Sequence, residues 1–172
     1  MKIISSRFGE IEINEDLIIE FPEGILGFQA FKKFIILTKD ENQLFWFLHS
    51  VENSDLMFII TNPYFILSDY TFDMSEEDCK TLLLDGNNSK ELSIFTITKV
   101  DNKKNFFINL KAPLCINFNK KIGKQIILYN YNYSHQYKIN AAAKDGITDK
   151  ISKNTQQKSE YSVSIKTDQS KD

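Results

Sequence analysis

The chain has 172 residues, 42% of them apolar and 13% aromatic, which suffices for one ordinary hydrophobic core and excludes a second large domain. A formal charge of −2 and a pI near 5.8 exclude the strong cationic surplus typical of nucleic-acid binders. Two cysteines, Cys79 and Cys115, without C-x-x-C spacing rule out a disulfide framework and point to a reducing, cytoplasmic compartment.

The first segment, Met1-Lys2-Ile3-Ile4-Ser5-Ser6-Arg7, reaches charge too early for a secretory leader, and no apolar run approaches the roughly 20 residues of a membrane helix. In chain order, Ile11 and Ile13 alternate with Glu10, Glu12 and Asn14, the period-two signature of a strand. Further strands are predicted at 17–21, 34–38, 44–51, 56–61, 92–100, 106–110, 114–118 and 125–129. Between the first two of these, Pro22-Glu23-Gly24-Ile25-Leu26-Gly27-Phe28 reads as a tight connection. Pro22 fixes φ, the glycines permit φ > 0, and Ile25, Leu26 and Phe28 are expected to anchor the loop on the core.

One helix is predicted near 75–84. Ser75 and Asp78 have capping-box spacing, Glu76 and Glu77 complement the first-turn dipole, and Cys79, Leu82 and Leu83 share a face; Asp85-Gly86-Asn87-Asn88 ends it. Asp101-Asn102-Lys103-Lys104 and residues 119–123 read as hairpin connections, so neighbouring strands should be antiparallel. The fold class is therefore mainly β, an antiparallel β-barrel-like single domain over residues 1–139. Residues 140–172 contain no Phe, Leu, Met, Trp or Pro; this polar tail is expected to be disordered, although Val163 and Ile165 could form a weak strand on a partner.

Charge is split along the sequence. Residues 1–90 carry 16 acids against 7 bases, and residues 91–139 carry 2 against 8. If that split survives folding, one face attracts a cationic partner and repels RNA; if strand order mixes the halves, it does not. Asp69, Asp73, Glu76, Glu77 and Asp78 form the densest acidic stretch, with a solvated face as the plain reading.

Catalytic chemistry finds little support. His49 and His135 lie far apart, adjacent strand residues such as His49 and Ser50 point to opposite faces, and Gly24 and Gly27 match neither a P-loop nor a dinucleotide fingerprint. No catalytic residue, metal site or cofactor is assigned. Two functions from other classes compete with a protein-binding module. One is a single-stranded nucleic-acid-binding barrel using the basic, aromatic 91–139 segment; the other, more distant, is a hydrolase acting through His49, Ser50 or the acids.

Five ordered segments carry a more specific signal: Phe8-Gly9-Glu10-Ile11; Phe21-Pro22-Glu23-Gly24-Ile25-Leu26-Gly27-Phe28 followed by Phe34; Phe45-Trp46-Phe47-Leu48-His49-Ser50-Val51 with Asn62-Pro63; Asn109-Leu110-Lys111-Ala112-Pro113-Leu114-Cys115-Ile116-Asn117; and Gly123-Lys124-Gln125-Ile126-Ile127-Leu128. Through them, residues 6–137 resemble the FliW family of bacterial flagellar assembly factors. Departures are His49 where Gln is expected, the bulky pair Phe107-Ile108, and the tail after residue 140.

The resemblance implies a non-enzymatic cytoplasmic regulator with a β-barrel-like fold. Its implied partners are the translational repressor CsrA and flagellin, bound in a partner switch that relieves CsrA repression of flagellin translation. It implies no direct nucleic-acid or membrane contact, no cofactor, and a monomer when free. The acids Asp69, Asp73, Glu76, Glu77 and Asp78 are the expected CsrA-facing residues. The family markers Phe21, Pro22, Gly24, Gly27, Phe28, Trp46, Asn109, Leu110, Ala112, Pro113 and Gln125 are of the residue types that turns and cores require, and are expected to act mainly through the fold.

Overall fold

Alternating apolar positions become strands in the computed structural model, which describes residues 1–39, 44–85 and 92–139 and the backbone of 163–164. A hairpin of β1 (Lys2–Ser5) and β2 (Gly9–Glu12) sets Ile3 opposite Ile11. From there β3 (Ile19–Glu20), β4 (Lys33–Thr38), β5 (Trp46–Ser50), β6 (Met57–Thr61) and β7 (Leu92–Val100) pair antiparallel in succession. The long β7 is shared. On one side its C-terminal half meets β6 and on the other β8 (Phe106–Ile108), while its N-terminal half pairs with β9 (Leu114–Asn117).

Antiparallel to β9 runs β10 (Ile122–Gln125), which joins β3 through a parallel bridge at Ile122 and Glu20. The path β7-β6-β5-β4-β3-β10-β9 thus returns to β7 as a ring, with β8 and β11 (Tyr137–Lys138) continuing from β7 beside it. The expected barrel-like class holds, with that parallel closure as the exception to antiparallel pairing within the ring.

Three apolar layers follow from the register. Phe34 and Ile36 of β4, Trp46 and Leu48 of β5, Ile60, Phe95, Leu114 and Ile116 pack together with Phe21 and Ile25 as the main core. The alternate residues Ile35, Leu37 and Phe47 are covered by Ile3, Ile11 and Ile13 of the first hairpin. Tyr70, Leu82, Ile108, Leu110, Cys115, Ile126 and Leu128 form a third cluster beneath α1 (Glu76–Thr81) and the C-terminal segment. Apolar side chains on both faces explain why β4 reads as a continuous apolar run rather than an alternation.

Several boundaries differ from the sequence reading. Residues 2–5 form an unpredicted strand. Leu17 belongs to a 3-10 turn (Glu15–Leu17) capped by Asn14, which leaves only Ile19–Glu20 of the strand expected at 17–21. The last ring strand is Ile122–Gln125 rather than 125–129, because the preceding turn closes at Lys121 (φ +55°) and residues 126 and 128 bond instead to the carbonyls of Pro113 and Lys111. The helix stops at Thr81 and Leu83 takes φ +52°, a left-handed helix exit; residues 86–88, expected to end it, lie outside the described residues. Of the tail, expected to be disordered with a weak strand on a partner as the alternative, Val163–Ser164 (β12) pairs parallel with Leu37 and Thr38 of this chain's own β4. The expected disorder of the rest concerns residues outside those described.

Candidate functional site

The loop after β3 is built by a turn. The Gly24 N–H donates to the Phe21 carbonyl at 2.8 Å, and Gly24 takes φ +72° where an added Cβ would lie 2.6 Å from Gln29 Cα, so glycine is required. Phe21 and Ile25 turn inward, yet Leu26 is 60% exposed and Phe28 41%. This corrects the expectation that all three apolar loop residues anchor on the core. The bend closed by the Phe28 N–H on the Ile25 carbonyl points Ile25 in and leaves Leu26 out, with the half-exposed Phe28 in edge contact with Phe58.

Two adjacent residues of β10 hold this loop. The Gln125 carboxamide oxygen accepts from the Leu26 N–H at 2.8 Å, and its amide donates to the Ala112 carbonyl at 3.3 Å, joining two marker segments nearly a hundred residues apart. Lys124, 9% exposed, places its Nζ 2.7 Å from Glu23 and 3.0 Å from Asp78. Loop, β10 and α1 therefore converge on one buried ammonium. Desolvation opposes its charge, but the two carboxylates outweigh that and hold its pKa above the ordinary lysine value.

The five acids separate into different roles. Asp78 completes the capping box, its Oδ2 accepting from the Ser75 hydroxyl at 2.7 Å while Oδ1 faces Lys124. Desolvation alone would raise its pKa; the Ser75 and Lys124 hydrogen bonds prevail and hold it below the ordinary 3.8. Asp73 is clasped at 2.8 Å by the Tyr131 hydroxyl, which also accepts from the Asp73 N–H. Asp73 and Asp78 are thus both engaged within the fold, Asp73 while remaining exposed. Asp69, Glu76 and Glu77 are exposed, and none of their three carboxylates has a hydrogen-bond or ion-pair partner among the described residues.

The Asp78 arrangement carries a pH prediction. A carboxylate whose folded pKa is depressed contributes stability that is full above its unfolded value and is lost as pH falls through the folded value. Below about pH 3.8 the melting temperature of the parent should therefore fall more steeply than that of Asp78→Asn. Parallel curves for the two proteins would show the contact to be energetically idle.

Sequence reading missed Lys124 and the tyrosines. The Tyr133 hydroxyl donates to the Thr71 carbonyl and accepts from its N–H, beside the Tyr131 clasp, so both rings, stacked on each other, pin residues 71–73. The alternation Tyr129-Asn130-Tyr131-Asn132-Tyr133 was visible, its partners 58 and 62 residues away were not. Asn109 Oδ1 accepts from the Lys111 and Ala112 N–H groups, and the Leu110 carbonyl accepts from the Tyr70 hydroxyl. This marker thus shapes the crossing between β8 and β9.

The basic residues of the 91–139 segment divide between paired and exposed ones. Lys111 donates to the Tyr131 carbonyl, and Lys121 and Lys124 are paired with acids. The exposed bases Lys99, Lys103, Lys104 and Lys138 gather near the β7–β8 turn and β11. Folding thus mixes part of the charge split and preserves the rest. The ring of His49 bonds through Nδ1 to the Ser50 carbonyl, its Nε2 buried without a partner among the described residues, while Ser50 Oγ accepts from the Glu52 and Asn53 N–H groups. Ser50 and His49 do not form a nucleophilic couple. No helix among the described residues is long and apolar enough to cross a membrane.

Comparison with known proteins agrees with this architecture. The family model described as FliW protein matches residues 2–139. A flagellar assembly factor FliW of Natranaerobius thermophilus is 38% identical over 140 residues, covering 81% of this chain and 92% of that protein. Its Clostridium kluyveri counterpart is 39% identical, covering 81% and 95%. A crystal structure of the flagellar assembly factor FliW superposes with a TM-score of 0.74 at 31% identity, covering 81% of this chain and 96% of that one. The same segments that meet around Lys124 and Gln125 lie within the matched span, and the chain belongs to the FliW family, which is one of flagellar assembly factors and not of enzymes.

Proposed function

We propose that this flagellar assembly factor works in the cytoplasm as a binding switch, holding either the translational repressor CsrA or flagellin and so relieving repression of flagellin synthesis when flagellin is scarce. The observation that carries a protein-binding reading is the exposed apolar tip of the 22–28 loop, Leu26 and Phe28, on a loop tied through Glu23 and Lys124 to the acidic start of α1. An apolar anchor with carboxylates on the connected elements suits a basic protein partner. The negative field speeds encounter with it and disfavours RNA phosphate nearby. No step of this involves covalent chemistry; the output is a competition of affinities.

The test is titration of the full chain with purified CsrA and with flagellin at low and high salt. Both proteins should bind. The double variant Glu76→Lys/Glu77→Lys should slow CsrA association about tenfold or more at low salt, with the difference shrinking at high salt. The melting temperature should fall only slightly, by the dipole cost of two cations in the first turn of α1, since neither carboxylate has a partner among the described residues. Binding unchanged at either salt would reduce α1 to a solvated face, and failure to bind either protein would overturn the switch.

A further inference from the structure

The outer edge of β4 is only half covered by its ring neighbour. The two residues of β3 pair with Lys33 and Phe34, after which the chain departs through the 3-10 turn at Glu15–Leu17, while β4 continues to Thr38. Beyond the reach of β3, Leu37 and Thr38 pair instead with Val163 and Ser164, in parallel. The tail that supplies this strand lies outside the matched family span, which ends at residue 139. The domain therefore carries the β4 edge by itself, and the strand covering it comes from an appendage.

From this we propose that the Leu37–Thr38 edge is a strand-addition site for an extended protein segment, filled in cis by the chain's own tail, which must leave before another protein enters. Strand addition needs main-chain partners along the edge and a ligand whose residues alternate. The tail has that pattern in sequence, Tyr161-Ser162-Val163-Ser164-Ile165, apolar residues alternating with small polar ones, and this defines the partner class: an extended segment with apolar residues at every second position. A two-residue strand is a short contact. It is kept in place by a tether of 23 residues after Ile139, which acts as a high local concentration of a weak ligand. Such a strand lowers the affinity of a competing segment by the fraction of time it occupies the edge.

The test uses the full chain and the variant Val163→Pro/Ser164→Pro. The paired substitution removes whichever of the two N–H groups faces β4, and lies outside the folded domain. Hydrogen exchange of the peptide spanning residues 34–39 should be faster in the variant. A labelled synthetic peptide of residues 158–168 should bind the variant about tenfold more tightly than the parent, the factor for a tail that covers the edge nine-tenths of the time. Equal exchange in the two proteins, equal peptide affinity, or no binding to the variant would each overturn the proposal. So would protection that disappears on hundredfold dilution, which would assign the strand to a second copy of the chain.

Discussion

Replacing Trp46 with alanine should lower the stability of the domain by about 3–5 kcal/mol, the usual cost of deleting a large aromatic side chain from a core. Trp46 is 8% exposed, sits opposite Ile60 in the β5–β6 pair, meets Phe95 edge-on with ring centroids 5.9 Å apart, and leans on Phe65 at 6.4 Å. It therefore links three successive ring strands and the 3-10 turn at Pro63–Phe65, and the vacated volume cannot collapse without moving all of them. Urea unfolding of parent and variant, followed by far-UV circular dichroism, measures the difference. A Trp46→Ala protein as stable as the parent but unable to bind CsrA or flagellin would make this side chain a contact residue and not a core one.

Gly123→Ala should destabilise by about 1–3 kcal/mol, the range for overpacking a filled core. A Cβ at this position would stand 2.5 Å from Cζ of Phe21 and under 3 Å from both of its Cε atoms. Phe21 is fully buried and edge-packed on Phe34 at 5.5 Å, so its ring has nowhere to retreat. The substitution strikes where β10 meets the 21–28 loop. It should therefore also loosen the hydrogen bond from the Leu26 N–H to Gln125, read as faster amide exchange at Leu26 than the global loss of stability accounts for. Parent-like stability would mean that Phe21 shifts freely and the close approach is not required.

What could be read from the sequence, and what could not, divides along physical lines. β4, β5 and β7 were recognisable because strand side chains repeat every two residues or run apolar throughout when both faces are covered, and these patterns are local. The capping box at Ser75 and Asp78 is likewise a four-residue signal, and it forms as expected. β10 was displaced because Gly123 reads as a turn residue, whereas its real use is to let the Phe21 ring approach, a requirement set by a residue 102 positions away.

The site obeys the same rule. Leu26 and Phe28 are ordinary loop-anchoring residue types, and only the bend at 25–28 decides which of the three apolar residues is left outside. Asp73 and Asp78 looked like their neighbours Glu76 and Glu77 until Tyr131 and Lys124 arrived from the far end of the domain. Of five carboxylates close in sequence, Asp73 and Asp78 found partners within the domain, a distinction no local pattern encodes.

The parallel bridge between Glu20 and Ile122 also constrains how the protein comes into being. One side of this contact is made early in synthesis and the other only when most of the domain has left the ribosome, and contacts so distant in sequence are slow to form because the intervening chain must first be ordered. The Leu26 tip, held by Gln125, and the α1 start, held by Lys124, depend on the same late strand. A nascent chain stopped short of residue 125 thus has neither surface in place. Both surfaces are therefore completed only after the protein's own translation is nearly finished.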